Sequence, residues 1–187
     1  AAGGILLLFK PRTSAISSRD GYAAVGLAWI FMGLFGALPF VISGDIPDYV
    51  DAVFETISGL TTTGSSILPN VEALSRGGLF WRSFTHWIGG MGVLVLIMAV
   101  LPTGDEHSMH IMRAEVPGPT VGKLVPRARE TARILYFIYG ALTIIETVLL
   151  MLGGMSFYDA LLHAFATAAT GGFSTRAASV AAFNSLY

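Results

Sequence analysis

The sequence predicts an all-α integral membrane protein. It is built of repeated units, each a membrane-spanning helix, a short re-entrant helix with a loop returning from it, and a second spanning helix. Three observations predict this. Of the 187 residues, 53% are hydrophobic and only 12% charged, about half the charged share of an average soluble domain, and the mean hydropathy is +0.68. Three apolar stretches are long enough to cross a hydrocarbon core, which takes ~20 helical residues. Two more polar segments, one between the first two spans and one after the third, match each other at a fixed spacing along the chain.

The same composition excludes other classes. Disordered chains need low hydrophobicity and high net charge, whereas the formal net charge here is −1. No basic excess exists to neutralise a phosphate backbone, so no nucleic-acid partner is expected. With no cysteine, thiolate metal sites, disulfides and Cys nucleophiles are absent from the chain.

Taken in order, residues 1–9 read as the tail of a preceding transmembrane helix, because GGILLLF is too short to span and lacks the basic start and cleavage site of a signal peptide. Residues 10–20 form a linker. The first repeat covers 21–101, with spans at 21–43 and 77–101, and Pro102 stops the second. A loop follows over 102–130. The second repeat covers 131–187, with a span at 134–152 that carries one carboxylate, Glu146. Its inner helix is expected beyond Tyr187.

Orientation follows from the basic residues, which mark the cytoplasmic side of short loops. Lys10, Arg12 and Arg19 precede the first span, and Arg113, Lys123, Arg127, Arg129 and Arg133 lie between the second and third. The linker and the 102–130 loop are therefore expected inside, and the two repeat-matching segments outside. The inner loop also offers contacts to anionic lipid.

Set on one another, the outer segments bring Asp51 onto Asp159, Ala52 onto Ala160, Thr62 onto Thr170, Gly64 onto Gly172 and Ser66 onto Ser174, a spacing of 108 residues throughout. Asp51 and Asp159 are expected to cap the two short helices. Ten helical residues reach ~15 Å, half a bilayer, so each helix dips in and must return. The return begins at Thr61-Thr62-Thr63-Gly64-Ser65 and at Thr170-Gly171-Gly172-Phe173-Ser174. Non-helical backbone at membrane depth survives only where protein buries it or where it lines a water-filled cavity. Carbonyl and hydroxyl oxygens without fixed charge suit a dehydrated monovalent cation, and the partly negative carboxyl ends of the short helices favour a cation as well. Because Gly171 falls on Thr63, the spacing predicts that position 171 accepts a Cβ and that Gly172 is the less replaceable glycine.

The ordered set Leu-Thr-Thr-Thr-Gly at 60–64, Trp87 with Gly-Gly-Met-Gly at 89–92, Arg-Ala-Glu-Val-Pro-Gly-Pro at 113–119 and Gly-Gly-Phe-Ser-Thr at 171–175 resembles the Trk/Ktr/HKT superfamily of potassium-translocating subunits, in its TrkH-type branch. The resemblance covers nearly the whole chain. It implies selective K+ uptake through a filter of four pseudo-symmetric repeats, of which one and most of a second are present. It implies filter contributions from Thr62, Thr63, Gly64 and Ser65 in the first repeat and from Thr170, Gly171, Gly172 and Phe173 in the second. It also implies a homodimer in the bacterial cytoplasmic (inner) membrane, regulated by a cytoplasmic TrkA-like nucleotide-binding ring, with K+ as the transported ion and no organic cofactor.

Other residues carry competing readings. Glu55 and His163 occupy equivalent places on the two short helices and are expected to brace the filter from behind. Glu146, Arg82 and His86 lie within spans, where ionisable groups are functional candidates, but hydrogen bonding between helices is the favoured role. Gly89, Gly90 and Gly92 are read as close-packing positions. His107 and His110 have one-turn spacing without a third metal ligand. Two alternative functions are an ammonium or other monovalent cation channel, and an intramembrane hydrolase using Ser65 or Ser66 with His86 or His163. No Gly-x-Ser-x-Gly elbow supports the latter.

Overall fold

The structure, a computed structural model, describes residues 18–92 and 128–183. Every regular element among them is helical: α1 Ser18–Gly36, α2 Leu38–Ser43, α3 Tyr49–Leu60, a 3-10 turn Val71–Ala73, α4 Arg76–Met91, α5 Ala128–Leu152, α6 Phe157–Ala168 and a 3-10 turn Ser179–Phe183. Two stretches, Ala23–Ser43 and Ala132–Leu152, are long and apolar enough to cross a membrane, and only 17% of each is buried. A helix in the core of a soluble protein is mostly buried. Here Ile30, Phe31 and Phe35 of α1 and Phe137, Ile144 and Leu152 of α5 lie exposed, a continuous apolar exterior of the kind that lipid or further helices cover.

The first expected span is not one uninterrupted helix. Pro39 has no N–H to continue the ladder, so α1 ends at Gly36 and α2 restarts at Leu38. The Phe40 amide bonds back to Ala37 rather than to Gly36, and the freed Gly36 carbonyl accepts the indole N–H of Trp81 at 2.8 Å. The break thereby ties α1 to α4. Beneath it Ala37, Phe40, Ile46, Ala52 and Leu74 form a small core.

Asp45, just after α2, accepts the Ser75 amide at 2.8 Å and the Ser75 hydroxyl at 2.7 Å, fixing the start of α4. Burial raises the pKa of this carboxyl, but the Ser75 and Ser43 hydrogen bonds outweigh it and hold the group below 3.8. The carboxylate therefore stays ionised at neutral pH and complements the amino end of α4.

The caps of the short helices differ from expectation. Asp48 caps α3, accepting the Val50 and Asp51 amides, and Ser156 caps α6, accepting the Asp159 amide. Asp51 and Asp159 sit in the first turns instead. Their carboxylates there still favour the positive helix end, but the capping acceptor must precede the first helical residue.

An aromatic row on α4 packs the two repeats together. Phe80, Phe84 and Trp87 stack along one face at 5.5 and 5.8 Å between successive rings. Phe165 of α6 meets all three at 6.1, 6.0 and 5.6 Å. The Trp87 indole donates to Thr143 of α5 at 3.1 Å. Described residues of α4 end at Gly92, so positions 93–101 of the expected second span, the 102–127 loop and His107 and His110 lie outside the described residues.

Candidate functional site: two returning strands at the ends of short helices

The 108-residue spacing holds in three dimensions. Helix α3 (Tyr49–Leu60) and helix α6 (Phe157–Ala168) begin and end at equivalent positions. Their carboxyl ends unwind through the same backbone bonds. Thr61, Thr62 and Thr63 donate to Ile57, Gly59 and Ser58, while Ala169, Thr170 and Gly171 donate to Phe165, Thr167 and Ala166. Left-handed φ recurs at the same two places, +53° at Thr62 and +57° at Thr170, then +77° at Gly64 and +86° at Gly172. A threonine with positive φ is uncommon and costs on the order of 1 kcal/mol. Its recurrence in both units marks a backbone course fixed by its surroundings. Past Leu60 and Ala168 both chains leave the helix and return.

The two returns meet. A Cβ built on Gly64 would run into the carbonyl oxygen of Gly171, so the segments Thr62–Ser65 and Thr170–Phe173 lie backbone against backbone there. Thr63, Ser65, Thr170 and Gly172 are exposed on the open side of this junction. The Ser65 carbonyl accepts the Ser58 hydroxyl at 2.5 Å, tying the first return to its own helix. Phe173 has the opposite disposition, with its ring buried.

Of the glycine reading taken from the spacing, the constraint on Gly172 holds, with φ at +86°, but the expected room at position 171 does not. Gly171 does not have room for a Cβ, which would collide with the buried ring of His86. At Gly172 nothing described lies within 4 Å, and only its φ of +86° disfavours a side chain. The reason is that position 171 faces α4 of the preceding repeat, a neighbour that comparison of the two repeats alone does not include.

Behind the strands stands a buried polar layer. Glu55, fully buried, accepts the Ser66 hydroxyl at 2.9 Å and the Ile67 amide at 3.0 Å. At the equivalent place His163 Nε2 lies 2.9 Å from the Ser174 hydroxyl, and its Nδ1 lies 2.7 Å from the Asp159 carbonyl. Both expected braces are thus in place. Thr175 adds a bond to Asp159 at 2.7 Å. The serine-histidine pair in the second repeat occupies the position of a serine-carboxylate pair in the first, so it braces the strand. Ser66 points to Glu55, and neither Ser65 nor Ser66 is hydrogen-bonded to His86 or His163 among the described residues.

Arg82 joins the two repeats, in keeping with its expected role between helices. Its Nε donates to Glu55 at 2.5 Å, its Nη1 donates to the Ser174 carbonyl at 3.1 Å, and its guanidinium carbon lies 3.4 Å from the centre of the Phe173 ring. His86 stacks on the same ring at 4.0 Å, but both of its nitrogens lack a hydrogen-bond partner among the described residues. The interhelical hydrogen bonding expected of His86 is therefore not seen among the described residues. The glycines of α4 serve close approach as expected: Gly89 passes the Leu60 carbonyl, and a Cβ at Gly90 would come within 2.8 Å of Ala169. No group of three or more metal-ligating side chains exists among the described residues.

Sequence reasoning missed the caps at Asp48 and Ser156 and the reach of Arg82 into the second repeat. The braces carried a signal of their own. Glu55 and Ser66, like His163 and Ser174, are 11 residues apart.

Exposed apolar helices long enough to span a bilayer, framing paired and uncharged returns, are the build of a membrane protein. The comparisons agree: the family model TrkH, described as a cation transport protein, matches residues 1–187. The chain belongs to the TrkH family. It is 42% identical over 184 residues to the Trk system potassium uptake protein TrkH of Halomonas elongata, covering 96% of this chain and 38% of that protein. Against its namesake from Vibrio parahaemolyticus the identity is 45% over 173 residues, covering 91% and 36%. The crystal structure of the potassium transporter TrkH from Vibrio parahaemolyticus superposes with a TM-score of 0.76 at 38% identity, covering 98% of this chain and 36% of that one. The chain thus spans less than two fifths of the length of the curated relatives it matches.

Proposed function

We propose that this chain supplies two of four pore repeats of a K+ uptake protein of the bacterial inner membrane. Thr62, Thr63, Gly64 and Ser65, with Thr170, Gly171, Gly172 and Phe173, form half of its selectivity filter. Carbonyl oxygens and the hydroxyls of Thr62, Thr63, Ser65 and Thr170 replace the hydration shell of the ion, and Phe173 contributes its carbonyl alone. Helices α3 and α6 act as re-entrant pore helices whose carboxyl ends point their negative dipoles at the ion. The filter loops face the outside, and the ion crosses without covalent chemistry. The remaining two repeats of the same protein complete the ring. A second copy makes a homodimer, and a TrkA-like nucleotide-binding ring docks on the cytoplasmic loop.

The observation that carries this reading is the shared backbone course of the two strands. Left-handed φ recurs at Thr62 and Thr170 and at Gly64 and Gly172, and the strands are in contact at Gly64 and Gly171. Repeated geometry at the ends of two half-membrane helices is what a ring of equivalent oxygen ligands requires. That the relatives are potassium uptake proteins and a potassium transporter by name supports K+ over ammonium as the ion.

The test is Thr63→Asp in the full-length protein, assayed in a strain that depends on it for K+ uptake. A fixed charge among filter oxygens holds the ion instead of releasing it, so growth at low K+ is lost while growth at high K+ persists. Undiminished growth at low K+ contradicts the filter assignment.

A further inference from the structure

Resting on the filter reading above, we propose that Arg82 is a positioning residue for ion selection: it clasps the filter strand of the second repeat to the pore helix and returning strand of the first. Arg82 does not reach the ion path. It acts through the two strands that do.

The geometry is that of a three-way junction. On one side the guanidinium donates to Glu55 Oε1 at 2.5 Å, and that same carboxylate holds the first strand through the Ser66 hydroxyl and the Ile67 amide. On the other side it donates to the backbone carbonyl of Ser174 at 3.1 Å and sits over the Phe173 ring, its central carbon 3.4 Å from the ring centre. Phe173 is the last of the four second-strand filter positions, and Ser174 directly follows it. The two links made by Arg82 itself are buried, with Arg82 3% and Glu55 0% exposed.

A buried ion pair is a poor device for stability alone, since desolvating two charges offsets most of their attraction. A planar guanidinium, however, fixes two acceptors and a ring in one relative geometry, which a flexible ammonium does not. Arg82 also belongs to α4, whose register is set independently by its cap at Ser75 and by the aromatic row against Phe165. The clasp therefore transmits a fixed reference to both strands at once. Oxygen ligands that discriminate ions by number and field strength depend on how their strands are held relative to each other. The second repeat has histidine where the first has Glu55, so it does not carry the same carboxylate partner for an arginine. Among the described residues the carboxylate half of the clasp occurs in the first repeat alone.

The experiment measures the Na+ to K+ uptake ratio and the amount of protein in the membrane for the full-length protein. Wild type is compared with Arg82→Lys, Arg82→Gln, the double variant Glu55→Gln/Arg82→Gln and Thr63→Asp. Arg82→Lys keeps the charge beside Glu55 but loses the planar fork. It is expected to reach the membrane in normal amount and to raise the ratio about tenfold, the equivalent of losing one charge-assisted hydrogen bond. Arg82→Gln leaves Glu55 buried and unpaired and lowers abundance, while the double variant recovers abundance without recovering selectivity.

A purely structural arginine changes abundance and maximal uptake and leaves the ratio of the remaining protein untouched. An unchanged ratio in both Arg82→Lys and the double variant overturns the proposal. So does failure of both to reach the membrane, which makes Arg82 an assembly residue. Thr63→Asp separates the two levels: if it leaves uptake intact, the filter reading itself fails. If it abolishes uptake while the Arg82 variants keep the wild-type ratio, only the clasp is wrong.

Discussion

Gly171 and Gly172 are adjacent, yet different forces keep them glycine. At 171 the obstacle is a neighbour, the buried His86 ring, and at 172 it is the backbone, with φ at +86°. An added methyl at 171 must displace an imidazole wedged against Phe173, an overpacking that costs roughly 1–3 kcal/mol. The left-handed penalty at 172 is about 1 kcal/mol. Gly171→Ala is therefore expected to lower the thermal stability of the full-length protein in detergent by more than Gly172→Ala does. The cost at 171 should shrink when combined with His86→Ala, which vacates the space. Equal or reversed effects, or strict additivity with His86→Ala, contradict the contact. The case also defines what a single sequence conveys at this scale. The 108-residue spacing made Gly64 and Gly172 legible as special backbone positions, because glycine recurs in both units, but the left-handed φ of Thr62 and Thr170 was not legible from it. It misjudged Gly171, because the constraint there comes from a different repeat and leaves no trace in the comparison of strand with strand.

Among the elements, the half-membrane length of α3 and α6 was legible from composition, since Thr, Gly and Ser end each apolar helix after about three turns. Their first residues were not. Asp48 and Asp51 are both chemically able to cap α3, and choosing between them requires knowing which one has extended backbone. Asp48, with ψ at 125°, is the one. The break in the first span at Ala37 has a similar origin. The sequence reading ran the span straight through Pro39, and the structural use of the break, freeing the Gly36 carbonyl for Trp81, depends on a partner 45 residues away. Orientation belongs to this scale too, and rests on the clustering of basic residues. In a full-length background with other cysteines replaced, a cysteine at exposed Asn70 should react with an impermeant thiol reagent added outside intact cells, and a cysteine at Ser108 should react only after lysis. The reverse pattern inverts the topology and turns the filter inward.

Across the molecule, the described helices leave two kinds of surface uncovered. The apolar faces of α1 and α5 suit lipid or neighbouring helices. The open side of the two returns, where Thr63, Ser65, Thr170 and Gly172 are exposed, suits two further strands of the same kind. The polar layer of Glu55, Arg82, Ser174 and His163 was only partly legible. Glu55, Arg82 and His163 stood out as ionisable groups in apolar surroundings, and the brace roles of Glu55 and His163 followed from their equivalent positions. The link from Arg82 across to Ser174 is set by how α4 packs between the two repeats, which the spacing along the chain does not encode. The central claim, that the strands at Thr62–Ser65 and Thr170–Phe173 jointly hold the transported ion, is tested most directly by anomalous diffraction from crystals of the full-length protein soaked in Rb+, a heavy substitute for K+. The account predicts Rb+ density on the shared axis of the strands, coordinated by oxygens of both repeats and lost in Gly64→Asp crystals; density coordinated elsewhere, with the space between the two strands empty, contradicts it.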